Sequence, residues 1–177
     1  MKCRFCDKEL KNLMIDLGMT PLANAYLDNT SIKKEELFYP LRISVCQNCL
    51  LVQLVESVES PKQLFSEYLY FSSFSKTWLN HAEELANNLI KKFSLDERNQ
   101  ITEIASNDGY LLKHFKNSNI PILGIEPAEN IAKFAEKQGI KTLNKFFGLQ
   151  TANELKQTGC EADLLIAINV LPHLPNI

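Results

Sequence analysis

The second half of the chain places the tightest limit on the fold, because short apolar runs alternate there with helical stretches. "QITEIAS", "IPILGIE", "IKTLNKFF" and "ADLLIAINVL" have the length and composition of strands. Between them lie "GYLLKHFKN", with Leu111, Leu112 and Phe115 on one face, "PAENIAKFAEKQG", closed by Gly139, and "LQTANELKQTG". Strands alternating with helices need crossover connections, which are right-handed and produce a parallel sheet. "DLLIAINVL" is apolar at nearly every position. That strand is therefore expected to be covered on both faces.

Parallel sheets bind ligands beyond the carboxyl ends of their strands, where the strand order switches. Three features of the sequence fall at such ends. The loop Ser106, Asn107, Asp108, Gly109 follows the first strand. Glu126 ends the second strand, about 20 residues further on, where an acid suits ribose hydroxyls. "NVLPH" follows the fourth strand and carries Asn169 and His173. Together they point to a nucleotide-type cofactor. The whole loop, "EIASNDG", has one glycine and two carboxylates, Glu103 and Asp108. A pyrophosphate needs several glycines so that backbone amides can surround it, and carboxylates repel it. A cofactor that carries an ammonium and no phosphate suits the loop better, and S-adenosylmethionine is one. A nicotinamide-dependent oxidoreductase with an atypical loop stays open as an alternative.

The first half is organised by cysteines. Cys3 and Cys6 form one CxxC pair, Cys46 and Cys49 another. Each turn presents two thiolates on one side, and two turns complete a tetrahedral Zn2+ site with no open position for catalysis. A segment of about 60 residues buries too little surface for comfort, so a metal staple makes physical sense. "FYPLRISVC" and "LLVQLVESV" are strand-like in composition. Cys160 stands alone and is expected to be inert. A zinc-ribbon interaction module with a scaffold behind it is a third reading.

Between the halves, Phe65, Tyr68, Tyr70, Phe71, Phe74 and Trp78 crowd one stretch. From Trp78 a helical period begins (Ala82, Leu85, Ala86, Leu89, Phe93), and this helix is expected to dock on the second half. His81 and His114 sit in helical patterns as surface or interdomain residues. The expected division is residues 1–60 as a zinc-binding domain, 61–97 as an aromatic linker and helix, and 98–177 as the cofactor-binding part. Net charge is -2 and basic residues are not clustered, which argues against nucleic acid and anionic membranes as partners. No apolar run reaches the roughly 20 residues that span a bilayer. The polar start "MKCRFCDKELK" is no secretory signal, so a cytoplasmic location is expected.

Taken in order, these motifs resemble a known family, the S-adenosylmethionine-dependent sugar C-methyltransferases of deoxysugar biosynthesis. The resemblance runs through both CxxC pairs, "DLGMTPLANAYL", "CQNCLLVQL", "LFSEYLYFSSFSKTW", "EIASNDGYLLKHF", "GIEPAENIAKFA" and "NVLPHLPNI". It implies an α/β fold: a Rossmann-like class I methyltransferase domain with a partial parallel sheet, preceded by a small zinc-binding domain. It implies cofactor contacts from Glu103, Ala105, Ser106, Asn107, Gly109, Glu126, Pro127 and Asn169. Tyr68 and Tyr70 match tyrosines near the sugar nucleotide, and His173 matches a histidine of the active site. Read from its surroundings alone, between Pro172 and Pro175, His173 is more readily a solvated turn residue. The chain departs from the family at Ala105, where glycine is usual, and at Ile168, where a second asparagine is usual. The implied reaction is methyl transfer to carbon three of a nucleotide-linked 4-keto-deoxysugar, by an enzyme that is monomeric at full length. The family's general base lies in a Tyr-x-Glu-His motif downstream of the fourth strand. The chain is accordingly expected to be an N-terminal piece, inactive by itself.

Overall fold

The computed structural model describes the chain except for residues 25, 28, 31, 34, 56–64, 66, 67 and 174–177. Two compact units divide it, residues 1–63 and residues 64–173. The expected boundary between residues 60 and 61, with the Pro61 beside it, lies outside the described residues.

The first unit carries an antiparallel sheet in the order β1 (Leu13–Thr20), β2 (Tyr39–Val45), β3 (Val52–Leu54). β2 and β3 come from the two strand-like runs. β1 has no clean alternation in the sequence, and its geometry shows why. Asp16 Oδ1 accepts the Gly18 N–H at 2.8 Å, Gly18 turns to φ 80, and the register shifts between Asp16 and Met19. A bulge of this kind breaks the period of two.

The second unit opens with α1 (Lys76–Phe93), started by Ser75, whose side chain accepts the Trp78 N–H, and closed by Ser94 at φ 51. Ala82 and Ala86 face inward and are buried. Such small residues allow α1 to approach α2 (Leu112–Asn117) closely. The rest alternates as expected: β4 (Ile101–Ile104), α2, β5 (Ile122–Ile125), α3 (Glu129–Lys137), β6 (Thr142–Leu143), α4 (Leu149–Gln157) and β7 (Leu164–Ala167). All four strands are parallel, in the order β6-β5-β4-β7. The order reverses beside β4, which creates the switch point at its carboxyl end. Ile101, Leu111, Leu112, Phe115, Ile120 and Ile140 pack with Ala82 and Ala86 into one core. Burial of each large side chain is worth about 1.5–3 kcal/mol.

One expectation is corrected. β7 was to be covered on both faces, yet Leu165 is 50% exposed and Ala167 is exposed too. β7 is an edge strand among the described residues, and α4 covers only part of its face. A groove of about 310 Å³ remains there, lined by Thr102, Phe147, Leu155, Cys160 and Leu165 among others.

Candidate metal centre and cofactor site

The two CxxC turns fold alike. The Cys3 N–H bonds to the Lys8 carbonyl (2.8 Å) and the Cys46 N–H to the Leu51 carbonyl (3.0 Å). The carbonyls of Cys3 and Cys46 in turn accept from Asp7 (3.0 Å) and Leu50 (2.9 Å). The residue after each second cysteine is left-handed, Asp7 at φ 57 and Leu50 at φ 62. These paired turns bring four sulfurs within 4.8 Å of one another. Cys3 and Cys49 lie 3.6 Å apart, Cys6 and Cys46 3.5 Å. A tetrahedron of 2.3 Å Zn–S bonds has edges of about 3.8 Å, so the set fits a closed Zn2+ site.

The clustered thiols influence one another. Burial raises Cys3, but N–H donors from Cys6, Gln53 and Phe5 outweigh it and hold the thiol down at about 6. Cys49 has the Leu51 N–H in its favour, yet burial and the surrounding sulfurs push it up to about 12. Gln53 is the residue the motif did not foretell. Buried on β3, its Nε2 donates to Cys3 Sγ at 3.1 Å and its Oε1 accepts the Arg4 N–H at 3.0 Å.

In the second unit the chain leaves β4 and turns left-handed at Ala105 (φ 51), Asn107 (φ 49) and Gly109 (φ 79). Asparagine tolerates this region and glycine favours it, whereas alanine does not. Gly109 is needed for space as well, since a Cβ there would sit 2.6 Å from Ile140 Cγ1. Gly124 on β5 lets Ser106 approach, where a Cβ would come within 2.5 Å of its Oγ. Ser106 N extends the β4–β5 pairing to the Ile125 carbonyl at 3.2 Å.

This winding gathers three buried carboxylates, Glu103, Asp108 and Glu126. Glu126 binds the loop: Oε2 accepts the Asn107 N–H and Oε1 the Ala128 N–H, both at 2.9 Å. Each of its oxygens keeps a lone pair for a further donor. Asn144 Nδ2 fixes the turn beyond by donating to the carbonyls of Glu126 (2.8 Å) and Pro127 (3.0 Å). Glu103 differs. It is 1% exposed, and neither of its oxygens has a partner of good hydrogen-bond geometry among the described residues. The Tyr110 hydroxyl nevertheless lies close enough to favour its charge. Asp108 Oδ1 and Ser106 Oγ have no partner among those residues either. Burial raises the Glu103 carboxyl well above its ordinary value, with the charges of Glu126 and Asp108 adding to the effect. Burial raises Glu126 as well, against the two amides that favour its charge. A pocket lined by three acids fits a cationic group and ribose hydroxyls better than phosphate.

The three residues expected on the substrate side form an aromatic row. His173 packs edge-on to Phe65 (5.1 Å between ring centres), Phe65 to Tyr68 (5.7 Å) and Tyr68 to Tyr70 (6.3 Å). Phe65 is thus the link between His173 and the tyrosines. The row meets the loop where Asn107 Nδ2 donates to the Tyr70 carbonyl at 3.1 Å. Asn169 stands beyond β7, exposed and left-handed at φ 56, and no hydrogen bond among the described residues ties it to the loop. Asn130 and Asn144 are functional candidates that periodicity does not single out, since each reads as an ordinary polar residue at an element end.

A four-sulfur zinc module joined to a Rossmann-like parallel α/β unit is the class of protein that this fold and these sites define. Residues 3–65 match the family described as "Putative zinc binding domain". Over 176 residues, 99% of its length, the chain is 27% identical to C-methyltransferase NovU of Streptomyces niveus. It spans 42% of that relative's length. Among solved structures it is similar to magnesium protoporphyrin IX methyltransferase (ChlM) from Synechocystis PCC 6803 with bound SAM. That likeness has a TM-score of 0.43 and 15% identity, over 55% of this chain and 47% of the other.

Proposed function

We infer that the chain supplies the zinc module and the S-adenosylmethionine-binding part of a C-methyltransferase acting on a nucleotide-linked 4-keto-deoxysugar. The observation that carries this reading is the trio of buried carboxylates gathered around a loop with one glycine. The similarity to a C-methyltransferase along almost the whole chain supports it. Cys3, Cys6, Cys46 and Cys49 hold one Zn2+, whose role is structural because four thiolates leave no position for a substrate.

The cofactor, when bound, supplies an electrophilic methyl on a sulfonium. Glu103 and Asp108 provide the negative field that favours its cationic end, and Glu126 offers its free lone pairs to the ribose. Ala105, Ser106 and Gly109 let the backbone approach, and Pro127 and Asn169 border the same strand ends. Tyr68, Tyr70 and His173 face the sugar nucleotide. The ketone of such a substrate would acidify the neighbouring C–H, the proton would pass to a general base, and the cofactor held by these residues would supply the methyl group to that carbon. Groups that hold the enolate oxygen dominate the acceleration of such a step.

Calorimetric titration tests the reading. S-adenosylhomocysteine is expected to bind and the nicotinamide dinucleotides to give no heat. Nicotinamide binding without a response to S-adenosylhomocysteine would sink the proposal in favour of an oxidoreductase, and no response to either would favour an interaction module.

A further inference from the structure

Two asparagine side chains grip the segment that carries Tyr68 and Tyr70. Asn130 Oδ1 accepts the Tyr68 N–H at 3.1 Å, and its Nδ2 donates to the Tyr68 carbonyl at 2.7 Å. Asn107 repeats the arrangement further along: Oδ1 accepts the Ser72 N–H at 2.8 Å and Nδ2 donates to the Tyr70 carbonyl at 3.1 Å. Asp108 Oδ2 takes the next amide, that of Ser73, at 3.0 Å. The carboxamides stand in for a neighbouring strand, reading backbone donors and acceptors of the segment. Within the Asn107 grip Phe71 packs edge-on against Phe134 of α3, with ring centres 5.1 Å apart.

Asn107 therefore uses its main-chain N–H, given to Glu126, and both ends of its side chain inside the protein. Its left-handed backbone fixes where that side chain points. Any shift of the loop carries Tyr70 and Ser72 with it.

We propose that Asn107 and Asn130 are positioning residues that join the strand-end loop and the tyrosine segment into one body, so that filling the loop orders the tyrosines for the nucleotide-linked substrate. The inference rests on the reading of the loop as an S-adenosylmethionine site. Coupling of this kind is reciprocal: a segment already ordered makes the loop bind more tightly, and a loosened segment makes it bind more weakly.

Amide exchange of residues 68–73, read by mass spectrometry on the full chain with and without S-adenosylhomocysteine, tests it together with calorimetry. In the unmodified chain the ligand is expected to bind and to slow the Tyr68 and Ser72 amides further. Asn130 is exposed and lies outside the loop, so Asn130→Ala is expected to keep the fold, which Trp78 fluorescence checks. In that variant residues 68–71 should exchange about tenfold faster in the free chain. Ligand affinity should fall about three- to tenfold although no ligand contact is lost. Asn107→Asp, which keeps the acceptor for Ser72 and removes the donor to Tyr70, should loosen the segment likewise. Unchanged exchange in Asn130→Ala overturns the positioning role. Faster exchange with unchanged affinity overturns the coupling. Absence of ligand binding in the unmodified chain removes the coupling and the methyl-donor reading together, an outcome distinct from the other two.

Discussion

The two units are held together by different physics. In the first, the buried residues among those described are Cys3, Ser44, Cys46 and Gln53. Two are metal ligands, Gln53 serves one of them, and the Ser44 hydroxyl donates to the Asn12 carbonyl. Leu13, Met14, Ile15, Leu17 and Met19 along β1 are all exposed. In the second unit Ile101, Leu111, Leu112, Phe115, Ile125 and Ile131 are all fully buried. A sheet with so little apolar burial needs another source of free energy, and a four-thiolate centre can provide it. The second unit needs no staple, so its loop is free to carry buried acids at a stability cost the core offsets.

Metal removal is the sharpest way to break this contrast. A structural Zn2+ contributes about 10–16 kcal/mol of binding free energy at neutral pH, far more than the first unit's packing. A strong chelator is expected to abolish amide protection in β2 and β3 while Trp78 fluorescence, which reports on the second unit, stays native. Cys46→Ser should do the same. Protection that survives in residues 41–54 after complete metal loss would show that the first unit has a core of its own.

The converse change is Gly109→Ala. The left-handed conformation costs an alanine about 1–2 kcal/mol. The clash at 2.6 Å with Ile140 adds an overpacking penalty of about 1–3 kcal/mol. Urea unfolding followed at Trp78 should shift by about that sum, with zinc content per chain unchanged. A parallel loss of zinc would mean that the two units are not independent.

What could be read from the sequence followed the same division. The alternation of β4 to β7 with their helices was legible because tertiary contacts agree with local periodicity there. The cysteine set was legible because CxxC spacing is itself geometric. β1 was not, since the Asp16 and Gly18 bulge erases its alternation. The exposure of Leu165 depends on which neighbours arrive, and an apolar pattern tells only what a strand can bury. Asn107, Asn130 and Gln53 hold elements remote in sequence, and no local signal marks an asparagine or glutamine for that work. The acids of "EIASNDG" were legible as charges, while the buried state of Glu103 needed the fold.

That state gives a gentler probe, pH. Glu103 and Glu126 are raised in the folded chain above their ordinary value of 4.5, so the folded state holds protons that the unfolded state releases. Stability is then complete below the unfolded value and declines as pH rises through the folded ones. The Trp78 unfolding midpoint is expected to fall as pH rises above the ordinary carboxyl value of 4.5, and Glu103→Gln should flatten the slope. Affinity for S-adenosylhomocysteine should rise over the same range, because its ammonium favours the ionised acids. Protonation of the cysteines at low pH affects the first unit and leaves this reporter untouched. An unchanged slope in Glu103→Gln would show that this carboxyl titrates alike in the folded and unfolded chain.

The smallest expected effect separates strain a unit tolerates from strain it needs. Ala105 sits at φ 51 and Leu50 at φ 62, both in a region unfavourable for these side chains. At Leu50 the turn that follows Cys49 demands the conformation, and the metal holds it. At Ala105 the same conformation falls in the loop after β4. Ala105→Gly relieves about 1–2 kcal/mol of conformational strain against about 0.5–1 kcal/mol of added chain entropy. The net gain should be about 0.5–1 kcal/mol in urea unfolding read at Trp78. Leu50→Gly in the zinc-loaded chain should leave that reporter unmoved and change only the rate at which a chelator strips the metal. If Ala105→Gly instead destabilises the second unit, the methyl packs to advantage, and the left-handed turn after β4 is a fitted feature of the loop.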